Sequence, residues 1–362
     1  MNVALLTLTR GNVSGGYRKY LDRLVPLLRA QPEVGRIDLF APPQMVGPGV
    51  HTWSPNDEMF GFRELRRSVA ALRPDVVFIP TGRVLRIDRL PVVTMIQNME
   101  PLEVPFGGNS VAESAKNLAR AAAARYAVIR SDRVIAISRH VRDFLVDRWL
   151  VADEKVGVVP HGIDSAAAEE LPIPVGLEGI AGTPFLFTAG SIRPARGLED
   201  VIRALATLPA EVRLVIAGSA DRAGEHYGRA MRSLAHHLGI ESRVVWAGQL
   251  DRPSMSWCFR NAALFVMTSR AEACPNIVLE AMAEGAAAIS TDHAPMPEFF
   301  ADAALYYRER DAGHLAARLA GVLSSPESLR LALRQRGRER AAAFTWEDTA
   351  RGTVSELQRA IH

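Results

Sequence analysis

The run Ser269-Arg-Ala-Glu-Ala-Cys-Pro-Asn-Ile-Val-Leu-Glu-Ala-Met-Ala-Glu-Gly285 constrains this chain more than any other stretch. An apolar segment, Ala262 to Met267, precedes it and has the length of a fully buried parallel strand. Behind the loop, Ile277, Val278, Ala281 and Met282 recur at helical spacing, and Gly285 can adopt the left-handed stop. Pro275 and Asn276 are residue types that open helices. A further strand is expected at Ala286 to Ser290. The pattern predicts a βαβ unit whose loop lies at the carboxyl edge of a sheet, where open α/β folds bind ligands.

Two carboxylates sit in this unit eight residues apart, Glu272 in the loop and Glu280 about a turn into the helix. Were both helical, they would lie about 12 Å apart along the axis, too far to share one proton. The pair is a poor acid/base dyad and a better clamp for two ends of one long ligand. Between them, backbone amides near Asn276 at the helix start form an anion site. Such a series suits a sugar, a diphosphate and a ribose, because carboxylates accept strong charge-assisted hydrogen bonds from hydroxyls. Taken singly, either acid reads as a solvated residue of loop or helix.

With its flanks, the stretch resembles the Glu-x7-Glu signature of the retaining, GT-B glycosyltransferases of the GT4 family. The resemblance takes in the preceding strand, Glu280-Ala-Met-Ala-Glu-Gly285, and Pro297-Glu298 beyond. It implies an α/β GT-B fold, two Rossmann-like doubly wound domains facing a central cleft. It also implies transfer of a sugar from a nucleoside-diphosphate donor, which is a substrate; no cofactor is expected.

At 362 residues the chain is about twice a typical domain, and 48% hydrophobic content is enough for two cores. Two cysteines, Cys258 and Cys274, give neither a disulfide framework nor metal spacing, which fits a reducing cytosol. Met1 runs almost directly into the apolar Val3–Leu8, so no signal peptide is expected, and no apolar run reaches a spanning length. The net charge of +3 is carried by forty Arg and three Lys. No zinc finger or arginine-rich segment accompanies it, so nucleic acid is not an expected partner.

Short Val/Ile-rich runs at Val3–Leu8, Ile37–Phe40, Val76–Ile79, Val92–Ile96, Val134–Ile137 and Val156–Val159 alternate with helical segments such as Tyr17–Arg29 and Phe62–Leu72. That alternation predicts a parallel sheet over residues 1–165. A loose stretch rich in Ala, Glu and Pro follows Pro160-His-Gly-Ile-Asp164 and marks the linker. Residues 166–346 carry a second set of expected strands, Phe185–Thr188, Val212–Ala217, Val244–Ala247 and Ala263–Met267, before Ala286–Ser290. The segment 347–362 resembles the family's crossing helix, which returns to the first domain.

The resemblance extends to individual residues. Gly15 and Gly16 open a helix after the first strand, where the family's glycine-rich loop faces the donor diphosphate; a plain tight turn is the alternative. Gly190-Ser-Ile-Arg193-Pro-Ala-Arg196-Gly197 matches the segment whose basic side chains neutralise the leaving diphosphate. Here Arg196 replaces the usual Lys, and Arg193 is slightly displaced from the common register. Gly218-Ser219 and Gly248-Gln249-Leu250 match the nucleotide-base pocket. Cys274, Pro275, Asn276, Ile277 and Glu280 complete the donor set. Catalytic roles fall to Arg193, Arg196 and Glu272.

The departure is at Met95-Ile-Gln97-Asn98-Met-Glu100, where many relatives carry a His facing the sugar. An amide can hydrogen-bond a hydroxyl but cannot take a proton at neutral pH. Gln97, Asn98 and Glu100 are the acceptor-side candidates, for a saccharide or lipid-linked acceptor. His161 and His140 read as hydrogen-bonded structural residues, and no metal constellation is present in the sequence. Between Lys116 and Arg148 basic residues outnumber acidic ones, as on a solvated helix face or, alternatively, a peripheral contact at the inner face of a membrane. Two rival readings stay open: an epimerase acting on the nucleotide sugar, and a non-catalytic donor-binding partner.

Overall fold

The computed structural model describes residues 1–9, 15–53, 62–104, 106, 108–166, 171–221 and 224–362. Residues 167–170 of the expected linker lie outside them. The chain divides into two compact units. One comprises Met1–Leu102, Leu118–Gly162 and Phe344–His362, the other Glu103–Asn117 and Ile163–Ala343. Residues 103–117 thus leave the unit that surrounds them in sequence. A Cβ on Gly108 would lie 3.2 Å from the Pro194 side chain, within the second unit.

The first unit is built on seven parallel strands: β1 (Asn2–Leu6), β2 (Arg36–Ala41), β3 (Val50–Thr52), β4 (Val76–Ile79), β5 (Val92–Ile96), β6 (Arg133–Ala136) and β7 (Val156–Val158). Their order, β3-β2-β1-β4-β5-β6-β7, places the switch of direction between β1 and β4. All of β4 and β5 is buried, so both faces are covered and the strands read as continuous apolar runs. Helix Trp346–Ile361 belongs to this unit although it comes last in the chain. Thr345 caps it, accepting from Asp348 N at 3.0 Å. Thr349 Oγ1 donates to Pro160 O at 2.9 Å, and Arg133 Nη2 meets Glu356 Oε2 at 2.5 Å. The ring of Trp346 packs with Tyr20 and with the buried His161.

The second unit carries six parallel strands: β8 (Phe185–Ala189), β9 (Arg213–Ala217), β10 (Val244–Gly248), β11 (Leu264–Met267), β12 (Ala288–Thr291) and β13 (Ala304–Tyr307). Their order is β10-β9-β8-β11-β12-β13, with the switch between β8 and β11. Helix Asn276–Ala283 follows β11. It ends where expected: Gly285 has φ +71°, its N–H donates to Met282 O at 3.0 Å, and Ala286 N donates to Ala281 O at 2.8 Å. That hydrogen-bond pair is the Schellman stop. Strands β3 and β13 have no counterpart in the sequence expectation; both are edge strands, short and only partly apolar.

Candidate functional site

In each sheet the order of strands reverses once, and loops diverging at such a point leave a crevice at the carboxyl edge. In the second unit the two loops are Gly190–Gly197, after β8, and Thr268–Pro275, after β11. They are tied together. Thr268 Oγ1 donates to Arg196 O at 2.6 Å, and Arg270 N donates to Ala195 O at 2.8 Å. Arg196 Nη1 donates to Ser269 Oγ at 3.0 Å and forms an ion pair with Glu272 Oε1. The strand adjacency therefore unites Arg196 and Glu272, 76 residues apart in the chain. Nη1 is occupied by these contacts, while Nε and Nη2 retain donors that match the fork of a phosphate.

The floor beneath Arg196 is bare backbone. Gly190, at φ +135°, would place any Cβ 2.8 Å from the guanidinium carbon. Below it Gly218, at φ +128°, would place one 1.9 Å from Gly190 O. Ile192 N donates to Ser219 O at 3.0 Å, which brings the loop after β9 alongside. Ser219 and Leu250 lie in the loops just after neighbouring strands β9 and β10, and Ser219 Oγ lies 3.5 Å from Gln249 Oε1. On the other side Pro275 caps helix Asn276–Ala283 with no side chain bonded across the cap. Cys274 and Pro275 are buried, whereas Asn276, Ile277 and Glu280 are partly exposed, with Glu280 on the second turn. Arg193 stands apart from Arg196, with Nη2 3.5 Å from Asp221 Oδ2 in a largely exposed pair.

A buried polar network behind these loops was not apparent in the sequence. Arg270 Nη2 bonds Glu199 Oε1 at 2.6 Å and lies 3.4 Å from Asp200 Oδ1. Tyr307 OH donates to Asp200 Oδ2 at 3.1 Å. Tyr227 OH donates to Glu199 and accepts from Leu198 N at 2.8 Å. Burial raises the Asp200 carboxyl above its ordinary range, against the pull of Arg270 and the Tyr307 hydroxyl. The sequence signal was two adjacent acids after Gly197, which is ordinary for the first turn of a helix. The partners of Asp200 are 70 and 107 residues away, and Tyr227 lies 28 residues from Glu199.

In the first unit, helix Gly15–Arg29 begins at the switch between β1 and β4, with Gly15 at φ +58°. The loop residues 10–14 before it lie outside the described set. Gln97 directly follows β5, and its Nε2 donates to Pro80 O at 2.9 Å. The carbonyl end of that amide is thus the end left to accept. Asn98 Oδ1 accepts from Glu100 N at 3.0 Å, holding the start of the short helix Glu100–Glu103. Among the described residues no group of three His, Cys, Asp or Glu side chains could hold a metal ion.

Two Rossmann-like parallel α/β units of this kind define the GT-B class. The Anabaena HepE structure in complex with UDP superposes with a TM-score of 0.74 at 18% identity, covering 99% of this chain and 100% of that one. Sucrose-phosphate synthase from Thermosynechococcus elongatus gives 0.73 at 19% identity, covering 99% and 98%. In sequence, residues 178–340 match the family described as glycosyl transferases group 1, and residues 27–167 match glycosyltransferase family 4. The chain belongs to this GT4 type of glycosyltransferase. It is 27% identical over 245 residues to the D-inositol 3-phosphate glycosyltransferase of Mycolicibacterium paratuberculosis, a match covering 65% of this chain and 54% of the relative. The chain thus spans about half the length of such relatives.

Proposed function

We propose that this protein transfers a sugar from a nucleoside-diphosphate donor to a saccharide, lipid-linked or small-molecule acceptor, with retention at the anomeric carbon. The observation that carries this reading is the seat of Arg196 at the β8–β11 switch, held by Ser269 and Glu272 beside the start of helix Asn276–Ala283. There a guanidinium and a helix start converge where a diphosphate would gain charge as the bond to the sugar breaks. That HepE binds UDP supports the donor class. Glu272 would accept from sugar hydroxyls and Glu280 from the ribose. Arg193, more exposed, would add long-range attraction for the donor.

With retention through a front-face path, the departing phosphate oxygen removes the acceptor proton. The amide Gln97 then needs only to hydrogen-bond a hydroxyl. Charge on the diphosphate is carried by Arg196 and helix amides in this scheme, so the reaction is metal-independent and persists in excess EDTA. The deciding experiment is a thermal-shift panel of UDP-, GDP- and dTDP-sugars, followed by product analysis with the stabilising donor. A bound donor raises the melting temperature by mass action. If no nucleotide sugar shifts the melt, the donor assignment fails.

A further inference from the structure

Arg270 stands two positions before Glu272 on the loop after β11, and both its backbone and its side chain reach across to the segment after β8. Its N–H donates to Ala195 O at 2.8 Å. Its side chain packs over Gly197, where a Cβ would lie 3.0 Å from Nε, and meets the first turn of helix Leu198–Leu205. There Nη2 bonds Glu199 Oε1 at 2.6 Å and lies 3.4 Å from Asp200 Oδ1. One residue therefore holds the chain on either side of Arg196.

The sheet does not supply this precision by itself. The ladder between β8 and β11 ends at Phe187 and Phe265, short of both loops. Glu272 and Arg196 meet beyond it, so the aim of their ion pair depends on contacts between the loops. The two carboxylates that grip Arg270 are in turn held from behind. Tyr227 OH, from helix Glu225–His237, donates to Glu199 Oε2, and Tyr307 OH, from β13, donates to Asp200 Oδ2 at 3.1 Å. Burial drives both hydroxyls above their ordinary range, so they remain donors. The Arg270 side chain is only 13% exposed. Burying charges offsets most of what their attraction gains, so an apolar residue would anchor the loop about as firmly. What a planar fork between two oriented carboxylates adds is direction. We infer that Arg270 is a positioning residue for the transfer reaction: it aims Glu272, and through their ion pair Arg196, without itself touching the donor. This inference rests on the donor reading of the site proposed above.

The test combines steady-state kinetics, using the donor that stabilises wild type, with calorimetry of the matching nucleoside diphosphate. The proteins compared are wild type, Arg270→Met, Arg270→Lys, Glu272→Ala and the double variant Arg270→Met/Glu272→Ala. Arg270→Met is expected to lower kcat at least about tenfold, since misplacing a group by about 1 Å can cost a hundredfold. Nucleoside diphosphate affinity should change by less than about threefold, because the loss falls on the chemical step. Arg270→Lys keeps the charge without the fork, and its kcat should lie between those of the Met variant and wild type. If the Met protein does not fold, the Lys variant carries the same test, alone and combined with Glu272→Ala. In the Glu272→Ala background the Met change should cost less than about twofold, because no carboxylate is left to aim. Wild-type kcat in a folded Met or Lys variant would overturn the inference. So would losses that multiply in the double variant, which would make Arg270 a support of the fold alone. A wild-type chain that neither binds nor consumes any nucleotide sugar would instead overturn the donor reading, and the inference would fall with it.

Discussion

Gly190 and the guanidinium of Arg196 occupy adjoining space with no room for a methyl group between them: a Cβ on Gly190 would lie 2.8 Å from both Cζ and Nε. Gly190→Ala must therefore displace Arg196 or its own loop, and it also strains a backbone at φ +135°. That conformation costs a non-glycine residue on the order of 1–3 kcal/mol. A lowered melting temperature is expected together with at least a tenfold loss of kcat. Normal kcat in a destabilised Gly190→Ala protein would show that the position of Arg196 is not critical.

Arg196 itself should matter more to the transition state than to the bound donor, because charge grows on the diphosphate as the sugar leaves. Arg196→Ala should lower kcat by on the order of a hundredfold or more, with a smaller change in donor affinity. Arg196→Lys should recover part of the rate, restoring charge without the fork. Steady-state kinetics decide this, and an Ala variant with wild-type kcat removes Arg196 from the chemistry.

Glu280, partly exposed on helix Asn276–Ala283, is assigned to the ribose. Glu280→Gln keeps the shape and weakens the hydrogen bonds it accepts, so nucleoside diphosphate should bind several-fold to tenfold more weakly. Calorimetry reads this directly. Unchanged affinity would leave Glu280 a solvated helix residue.

Asp200 gives a pH signature. Burial raises its pKa, and Arg270 and Tyr307 offset only part of the rise. An acid whose pKa is higher in the folded state contributes stability fully below its unfolded value and loses it as pH climbs through the folded one. Asp200→Asn, which cannot ionise, escapes that loss. Melts of both proteins from about pH 3 to pH 8 should show the variant gaining on wild type as pH rises, then levelling off. A gap that moves the other way would mean that Arg270 and Tyr307 outweigh burial.

The parts of the fold legible in the sequence are those whose information is local. Strands β4 and β5 match their expected limits because Val76–Ile79 and Val92–Ile96 are apolar throughout and covered on both faces. Strand β3, Val-His-Thr, is an edge strand with no fully buried residue, so no apolar run announces it. In β13 the two tyrosines carry hydroxyls, and Tyr307 spends its own on Asp200. At the site, Glu272 and Arg196 were each visible from their motifs. Their pairing was not, since it depends on β8 and β11 lying side by side. The Arg270 network is more distant still from sequence reasoning, because no spacing rule links Glu199 or Asp200 to Tyr307.

Helix Trp346–Ile361 gives the first unit an unusual schedule of assembly. On a ribosome, residues 1–162 emerge long before the helix that covers Tyr20 and supplies Glu356 to Arg133. Until then Arg133, whose side chain is 13% exposed in the finished fold, lacks its carboxylate partner, and losing one member of a buried pair costs about 3–5 kcal/mol. The unit begun first is therefore closed last, after the second unit has been synthesised in full. A fragment of residues 1–162 should be cut rapidly by protease where the intact chain resists, and a separately supplied peptide of residues 344–362 should slow the cutting.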